Sequence, residues 1–393
     1  MKKQYITEIR NHLTDCIIPF WMGLRDDEFG GYYGYVDFDS LKPDKKAVKG
    51  CILHSRILWF FSNAYMTLGD EKLLKEANHA YEFITKYCLD KEYGGILWSV
   101  TYDGKPAEDL KHTYNQAFAV YALSSYYDAT GNKDELKKAY DLFNLIETKC
   151  LDEVGYMEAF TRDFKIMDND KLSENGVMAD RTMNTLLHVF EAYTELYRVD
   201  KNQKVADRLR WIFDCFKDHM YNPELHRQEV FFNNSYESLI DLHSYGHDIE
   251  TSWLMDRGLE ILDDPEYTRK ITPVTKDLAG NILKVAFDGH SLNNECERGV
   301  VNTSRIWWVQ AETVIGFLNA YEKQGDKKFL DAAEAEWEYI RDKVVDKRPG
   351  SEWFWEVDIN GEPTSRKPIV EPWKCPYHNG RMCMEVIKRC GQD

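Results

Sequence analysis

The feature that most constrains this chain is a glycine turn that returns at a regular interval. Asp26-Asp27-Glu28-Phe29-Gly30-Gly31-Tyr32-Tyr33 is matched by Asp90-Lys91-Glu92-Tyr93-Gly94-Gly95-Ile96-Leu97 and more weakly by Leu151-Asp152-Glu153-Val154-Gly155-Tyr156. Degenerate equivalents lie near Tyr221-Asn222-Pro223-Glu224 and near Glu352-Trp353-Phe354-Trp355. Each precedes a short alternating segment ending in a turn, such as Trp98-Ser99-Val100-Thr101-Tyr102-Asp103-Gly104 or Val357-Asp358-Ile359-Asn360-Gly361, and Asp-Gly and Asn-Gly are strong hairpin signals. The period is roughly 60–70 residues, longer than that of the common solenoids.

That interval leaves room for two helices joined by a tight turn. Leu68-Gly69-Asp70, Thr130-Gly131-Asn132 and Gln324-Gly325-Asp326 place glycine at one helix end and a capping Asp or Asn at the next start. Val199-Asp200-Lys201 and Leu262-Asp263-Asp264-Pro265 are variants of the same turn. Apolar periodicity then predicts about twelve helices, near 3–23, 49–68, 70–89, 111–130, 132–149, 178–199, 201–219, 246–262, 265–287, 304–324, 326–344 and 376–390. Six pairs of near-equal length fit a closed ring better than an open solenoid. The expected class is all-α, an α/α six-fold toroid with short β-hairpins between the helical pairs. No Pro/Ser-rich or charged linker divides residues 1–393, so one domain is expected.

Composition narrows the partners. A formal net charge of −17 argues against nucleic acid and against an anionic membrane. Nine scattered cysteines form no Cys-x-x-Cys pair, so neither a zinc ribbon nor a disulfide framework is indicated. The start, Met1-Lys2-Lys3-Gln4, is charged where a signal peptide is apolar, and no apolar run is long enough to span a bilayer. A reduced, cytoplasmic protein is expected, as a monomer or weak dimer with a small-molecule substrate.

Candidate chemistry falls on the even-numbered helices, those that follow a hairpin. Gly246-His247-Asp248-Ile249-Glu250-Thr251-Ser252-Trp253 spaces an imidazole, a carboxylate and an indole three residues apart, nearly on one helical face. Such an imidazole is a candidate proton-transfer base, with Glu250 expected to favour its charged form. Arg56, Tyr114, Asn184, His188, Glu191, Trp308, Glu312 and His378 occupy the other even helices. The odd helices read as amphipathic covers. If the even helices form the inner ring, these groups converge on one cavity.

Each residue also has a plain reading. Glu191 fits an ion pair as well as a site; Arg56 fits a structural ion pair; one of Trp307 and Trp308 fits the core while the other lines the cavity. Glu312 fits the orienting of another group. His54 and His112 read as structural, and His79, His219, His226, His243 and His290 as surface, turn or supporting positions. A metal held by His247 and Glu250, alone or with His188 and Glu191, is a minor alternative, and no metal or nucleotide cofactor is expected. Phosphate-binding, dinucleotide and Gly-x-Ser-x-Gly motifs are absent.

Five segments in order, Ser55-Arg56-Ile57-Leu58-Trp59, Asn184-Thr185-Leu186-Leu187-His188-Val189-Phe190-Glu191-Ala192, Gly246 to Leu254, Trp308-Val309-Gln310-Ala311-Glu312 and Trp373-Lys374-Cys375-Pro376-Tyr377-His378-Asn379, resemble the N-acylglucosamine 2-epimerase superfamily over nearly the whole chain. The likeness is greatest to its branch acting on β-1,4-linked disaccharides. The resemblance implies an (α/α)6 barrel, a metal-independent inversion at C2 of a reducing-end aldose, and conversion of cellobiose to glucosyl-mannose or lactose to epilactose. It implies His247 and His378 as the acid/base pair with Glu250 supporting His247, and Arg56 and His188 as holders of the reacting oxygens. Trp308 and Trp373 become sugar-stacking walls, and Tyr114, Asn184, Glu312 and Trp253 further substrate positions. The rivals are a monosaccharide 2-epimerase or aldose–ketose isomerase, then a glycoside hydrolase, which would need two opposed carboxylates, then a non-catalytic sugar binder.

Overall fold

The sharp reversals between paired helices come from residues in the left-handed conformation. Gly69, Gly131 and Gly325 take φ of 73°, 70° and 71°, and Lys201 and Asp263 adopt the same region at 53° without glycine's freedom. Asp70, Asn132, Asn202, Asp264 and Asp326 follow at once as N-caps, each side chain accepting a backbone N–H of the next helix. All five anticipated turns form.

The computed structural model describes residues 1–172 and 175–391. Twelve helices are present among them. Helix α1 runs Lys3–His12, then through a π-helical turn Leu13–Ile17 into Ile18–Met22. It is followed by α2 (Cys51–Leu68), α3 (Glu71–Phe83), α4 (Thr113–Thr130), α5 (Lys133–Leu145), α6 (Met183–Asp200) and α7 (Gln203–Cys215). The remainder are α8 (Tyr245–Leu262), α9 (Pro265–Val285), α10 (Trp307–Gln324), α11 (Lys327–Tyr339) and α12 (Tyr377–Cys390). Helices α3, α5, α7 and α11 each end in a five-residue π-helical turn.

The even helices are the inner ring. α2 packs on α4, α4 on α6, α6 on α8, α8 on α10, α10 on α12 and α12 back on α2, while α1 covers α12 as the sixth pair. The inner helices are buried on nearly every side, which matches their apolar composition around the full turn. The chain is thus an (α/α)6 barrel. None of its described helices is long and apolar enough to cross a membrane.

Several inner helices start later than the apolar period implies, at Thr113, Met183 and Trp307. The residues just before them are two-residue strands, Lys111–His112, Arg181–Thr182 and Arg305–Ile306. Each pairs antiparallel with a strand after the next outer helix; Lys49 faces Val100, Lys111 faces Phe160 and Arg305 faces Val357.

The glycine turns are Asx turns. Asp26, Asp90, Asp152 and Asn222 accept backbone N–H groups two and three residues on. Asp288 does the same in a fifth turn that has no obvious sequence likeness to the first, and the sixth turns on Asp346 rather than on 352–355. The same carboxylates anchor a buried cation two residues ahead of the inner helix: Lys49 on Asp26 at 2.6 Å, Lys111 on Asp90 at 3.0 Å, Arg181 on Asp152 at 2.6 Å, and Arg305 on Asp288. These pairs fix the rim from which the inner helices descend.

Candidate active site

All inner helices begin at the same end of the ring, and their first two turns surround a cavity of about 650 Å³. Six helix N-termini therefore direct partial positive charge toward one space. Arg56, Tyr114, Asn184, His188, His247, Glu250, Trp308, Trp373 and His378 all line it. The loops add Trp355, Lys171 and Lys367, which no helical periodicity could have marked.

Trp308 lies beneath both expected acid/base groups. Its ring centroid is 4.8 Å from that of His247 and 5.6 Å from that of His378. Gly246 makes this approach possible, because a Cβ there would meet the Trp308 ring at 2.6 Å and Val309 at 2.7 Å. Trp307 is not simply a core residue; it reaches the cavity too and packs on Trp355 at 4.7 Å. The opposite wall is Trp373, against Trp98 at 5.6 Å and Tyr114 at 5.9 Å.

Arg56 is not the structural ion pair that a buried guanidinium usually forms. It donates to the Tyr114 hydroxyl at 2.7 Å and the Trp373 carbonyl at 3.3 Å, with the rings of Phe118 and Tyr377 at 4.2 and 5.1 Å. Among the described residues no carboxylate lies within ion-pair distance of it, and its Nε has no hydrogen-bond partner. A buried cation left without an anion is an electrostatic receptor for negative charge that develops later. The Asn184 Oδ1 beside it is likewise unpartnered.

Under the cavity floor lies a charge network that the sequence reading missed. Arg381, on α12 one turn after His378, donates to Glu191, Glu250 and Glu312. Glu191 accepts from His188 Nδ1 at 2.8 Å, and Glu312 accepts from His378 Nδ1 at 2.7 Å. The Tyr377 hydroxyl donates to Glu191. The spacing of Arg381 three residues beyond His378 on an inner helix was the available signal.

Three expectations need correction here. Glu250 does not support His247: it turns to Arg381, and among the described residues the hydrogen-bond partner of the His247 ring is Ser244 Oγ, 2.7 Å from Nδ1. The guanidinium is the stronger attraction for a buried carboxylate. Trp253 does not face substrate; it is 1% exposed, and its indole N–H donates to Glu312 Oε2 at 3.0 Å. Glu312 is also fully buried and serves His378 as an orienting acceptor rather than contacting the cavity. His54 and His112 make structural contacts, as expected: His54 bridges the Gly50 carbonyl and the Tyr32 N–H, and His112 caps α4 at Tyr114 N.

Electrostatics follow from this wiring. Burial lowers His247 to about 3, with His188 adding to the effect. Burial, reinforced by Arg381 and Arg56, pushes His378 well below its ordinary value. Burial lifts Glu250 to about 7, helped by Glu312, and lifts Glu312 to about 7 against the opposing pull of Arg381. Burial would raise Glu191 as well, but Arg381 and His188 outweigh it and hold it at about 2. Both expected acid/base imidazoles are therefore neutral at neutral pH, so His247 is not kept in its charged form as Glu250 had been expected to do.

Glu250, Glu312 and His378 bring ligand atoms within 4.8 Å of one another. Those donors are already engaged: Arg381 Nη2 bonds a carboxylate oxygen of both glutamates, and His378 Nδ1 faces Glu312. A guanidinium stands where a cation would be needed, so the donor set does not fit a metal.

Comparison with known proteins agrees with this arrangement. The family model described as N-acylglucosamine 2-epimerase (GlcNAc 2-epimerase) matches residues 24–379. A cellobiose 2-epimerase of Ruminococcus albus is 54% identical over 384 residues, 98% of each chain. The crystal structure of a sugar epimerase from a ruminal bacterium superposes with a TM-score of 0.96 at 54% identity, over 98% of this chain and 99% of that one. The cellobiose 2-epimerase structure from Bacillus thermoamylovorans gives 0.94 at 47%, over 99% and 100%. With its ring of twelve helices and a match spanning nearly all of it, the chain belongs to the N-acylglucosamine 2-epimerase family.

Proposed function

We propose that the protein is a disaccharide 2-epimerase that interconverts cellobiose and glucosyl-mannose, and lactose and epilactose, by inverting C2 of the reducing-end sugar. The observation that carries the reading is a pair of neutral imidazoles, His247 and His378, flanking one indole beside an unpaired buried Arg56. The relatives named as cellobiose 2-epimerases, at 54% identity over nearly full length, support the choice of a β-1,4-linked disaccharide over a monosaccharide.

The C2 hydrogen of a pyranose is not acidic, so the ring opens first, O1 losing a proton and O5 gaining one. Glu250, which burial lifts to about 7 and which lines the cavity, can exchange such protons. In the open aldehyde, His378 Nε2 takes the C2 proton, its Nδ1–H held by Glu312. The electron pair passes into an enediolate whose charge rests on O1, where Arg56 and the helix N-termini stabilise it. His247, protonated from solvent once the anion has formed, gives that proton to C2 on the other face, and His378 then releases to solvent the proton it took. Trp308 and Trp373 hold the sugar by stacking, and Tyr114 and Asn184 offer hydroxyl contacts. The reading extends to a single cytoplasmic catalytic domain, a monomer or weak dimer that uses neither metal nor nucleotide; nine free thiols fit a reducing compartment.

Incubation with cellobiose in heavy water tests it. The glucosyl-mannose formed is expected to carry deuterium at C2, seen by NMR or mass spectrometry. Unlabelled product would mean hydride transfer, ketose product an isomerase, and free glucose a hydrolase.

A further inference from the structure

Ser244 occupies the N-cap position of α8, with extended backbone angles of φ −83° and ψ 99°, yet its side chain makes no capping bond. A serine there ordinarily accepts the N–H two or three residues on, as Thr182 does for Thr185 at the start of α6. Here the hydroxyl turns away from the helix to His247 Nδ1, 2.7 Å off, and both residues line the cavity. Capping has been given up for a contact to a reacting group.

The partner's chemistry matters. His188 has at Nδ1 the carboxylate of Glu191, held ionised by Arg381, and His378 has Glu312; an ionised carboxylate can only accept, so it fixes the ring proton on Nδ1. A hydroxyl both donates and accepts. It satisfies His247 as the Nδ1–H tautomer, as the Nε2–H tautomer and as the cation, without the charge that would stabilise the cation. We propose that Ser244 is the positioning residue of His247, holding its ring toward the sugar while leaving it free to change tautomer and to release its proton readily. The two imidazoles are then built unequally: His378 is held to one tautomer by the ionised form of Glu312, while His247, backed by Ser244, can carry its proton on either nitrogen. The titratable groups that act on His247 are His188 on α6 and His378 on α12, and Glu250 lies one turn on along its own helix and lines the same cavity.

The inference rests on the epimerase reading, and one set of measurements separates the two. Ser244→Ala is expected to lower kcat for cellobiose roughly 10–100-fold, as removal of a ring-orienting partner does elsewhere, with KM and the thermal midpoint little changed because no cap is lost. Ser244→Thr, which keeps the hydroxyl, is expected to recover most of that loss. In protein labelled with 15N histidine, the His247 ring nitrogens are expected to shift between wild type and Ser244→Ala without substrate present. Unchanged kcat, loss of KM and stability in step with kcat, or unmoved His247 resonances would overturn the assignment of Ser244. Absence of deuterium at C2 in the wild-type product would instead overturn the epimerase reading, and the resonances would still decide the contact.

Discussion

His378→Ala is expected to lower kcat for cellobiose by about 10²–10⁴-fold, the range of a lost general base, with KM changed only a few-fold because the stacking walls stay in place. Glu312 keeps its bonds to Arg381 and Trp253, so the fold is expected to persist and circular dichroism to match wild type. A two-base site makes a sharper claim. With glucosyl-mannose in heavy water, His378→Ala is expected to exchange the C2 hydrogen through His247 while producing almost no cellobiose. His247→Ala is expected to do the reverse, exchanging cellobiose without epimerising it. Near-normal turnover in either variant, or exchange of both sugars by a single variant, would remove the assignment of one imidazole to each face.

Arg381→Met is expected to be the most damaging change to stability, by about 3–5 kcal/mol, the usual cost of leaving buried charges unpaired. One guanidinium serves three fully enclosed carboxylates, and among the described residues no other Lys or Arg pairs with Glu250 or Glu312. The deficit should depend on pH in a defined direction. Glu250 and Glu312 already sit near 7, above their ordinary 4.5, and loss of Arg381 raises them further. A carboxyl whose folded pKa exceeds the unfolded one is favoured by folding when protonated, and loses that support as pH rises through the folded value. The variant is therefore expected to lie closer to wild type at about pH 5.5 than at about pH 8, and denaturant titrations at both will show it. A pH-independent deficit would mean that packing, not charge, is what Arg381 supplies.

The architecture was legible because helix reversal has strong local chemistry. Left-handed glycines followed by capping Asp or Asn name three of the turns without reference to the rest of the chain, and Asn202 and Asp264 mark the other two by their capping alone. The helix starts were less legible, since Lys111–His112 and Arg181–Thr182 pair with strands far along the sequence, and apolar periodicity cannot see a partner. Among site residues, those facing the cavity from the first two helical turns were found, Arg56, His188, His247 and His378 among them. What was missed or misplaced depends on contacts between helices. Glu250 sits one turn from His247, but spacing on one helix says nothing of Arg381 arriving from another. Trp253 continues the same face as His247 and Glu250, yet lies a turn too deep to meet a sugar. Ser244 carried no signal in the sequence, because the turn of its hydroxyl toward His247 shows only in the folded chain.

The closure of the ring by α12 between α10 and α2 has a consequence for how the molecule comes apart. A linear stack of repeats can fray, because a terminal unit gives up only one neighbour. Here every inner helix has two, and each rim strand is borrowed by the following repeat. No helical pair can detach without opening two seams at once, so partial melting is penalised everywhere, and the groups gathered at the centre keep their spacing until the whole assembly lets go.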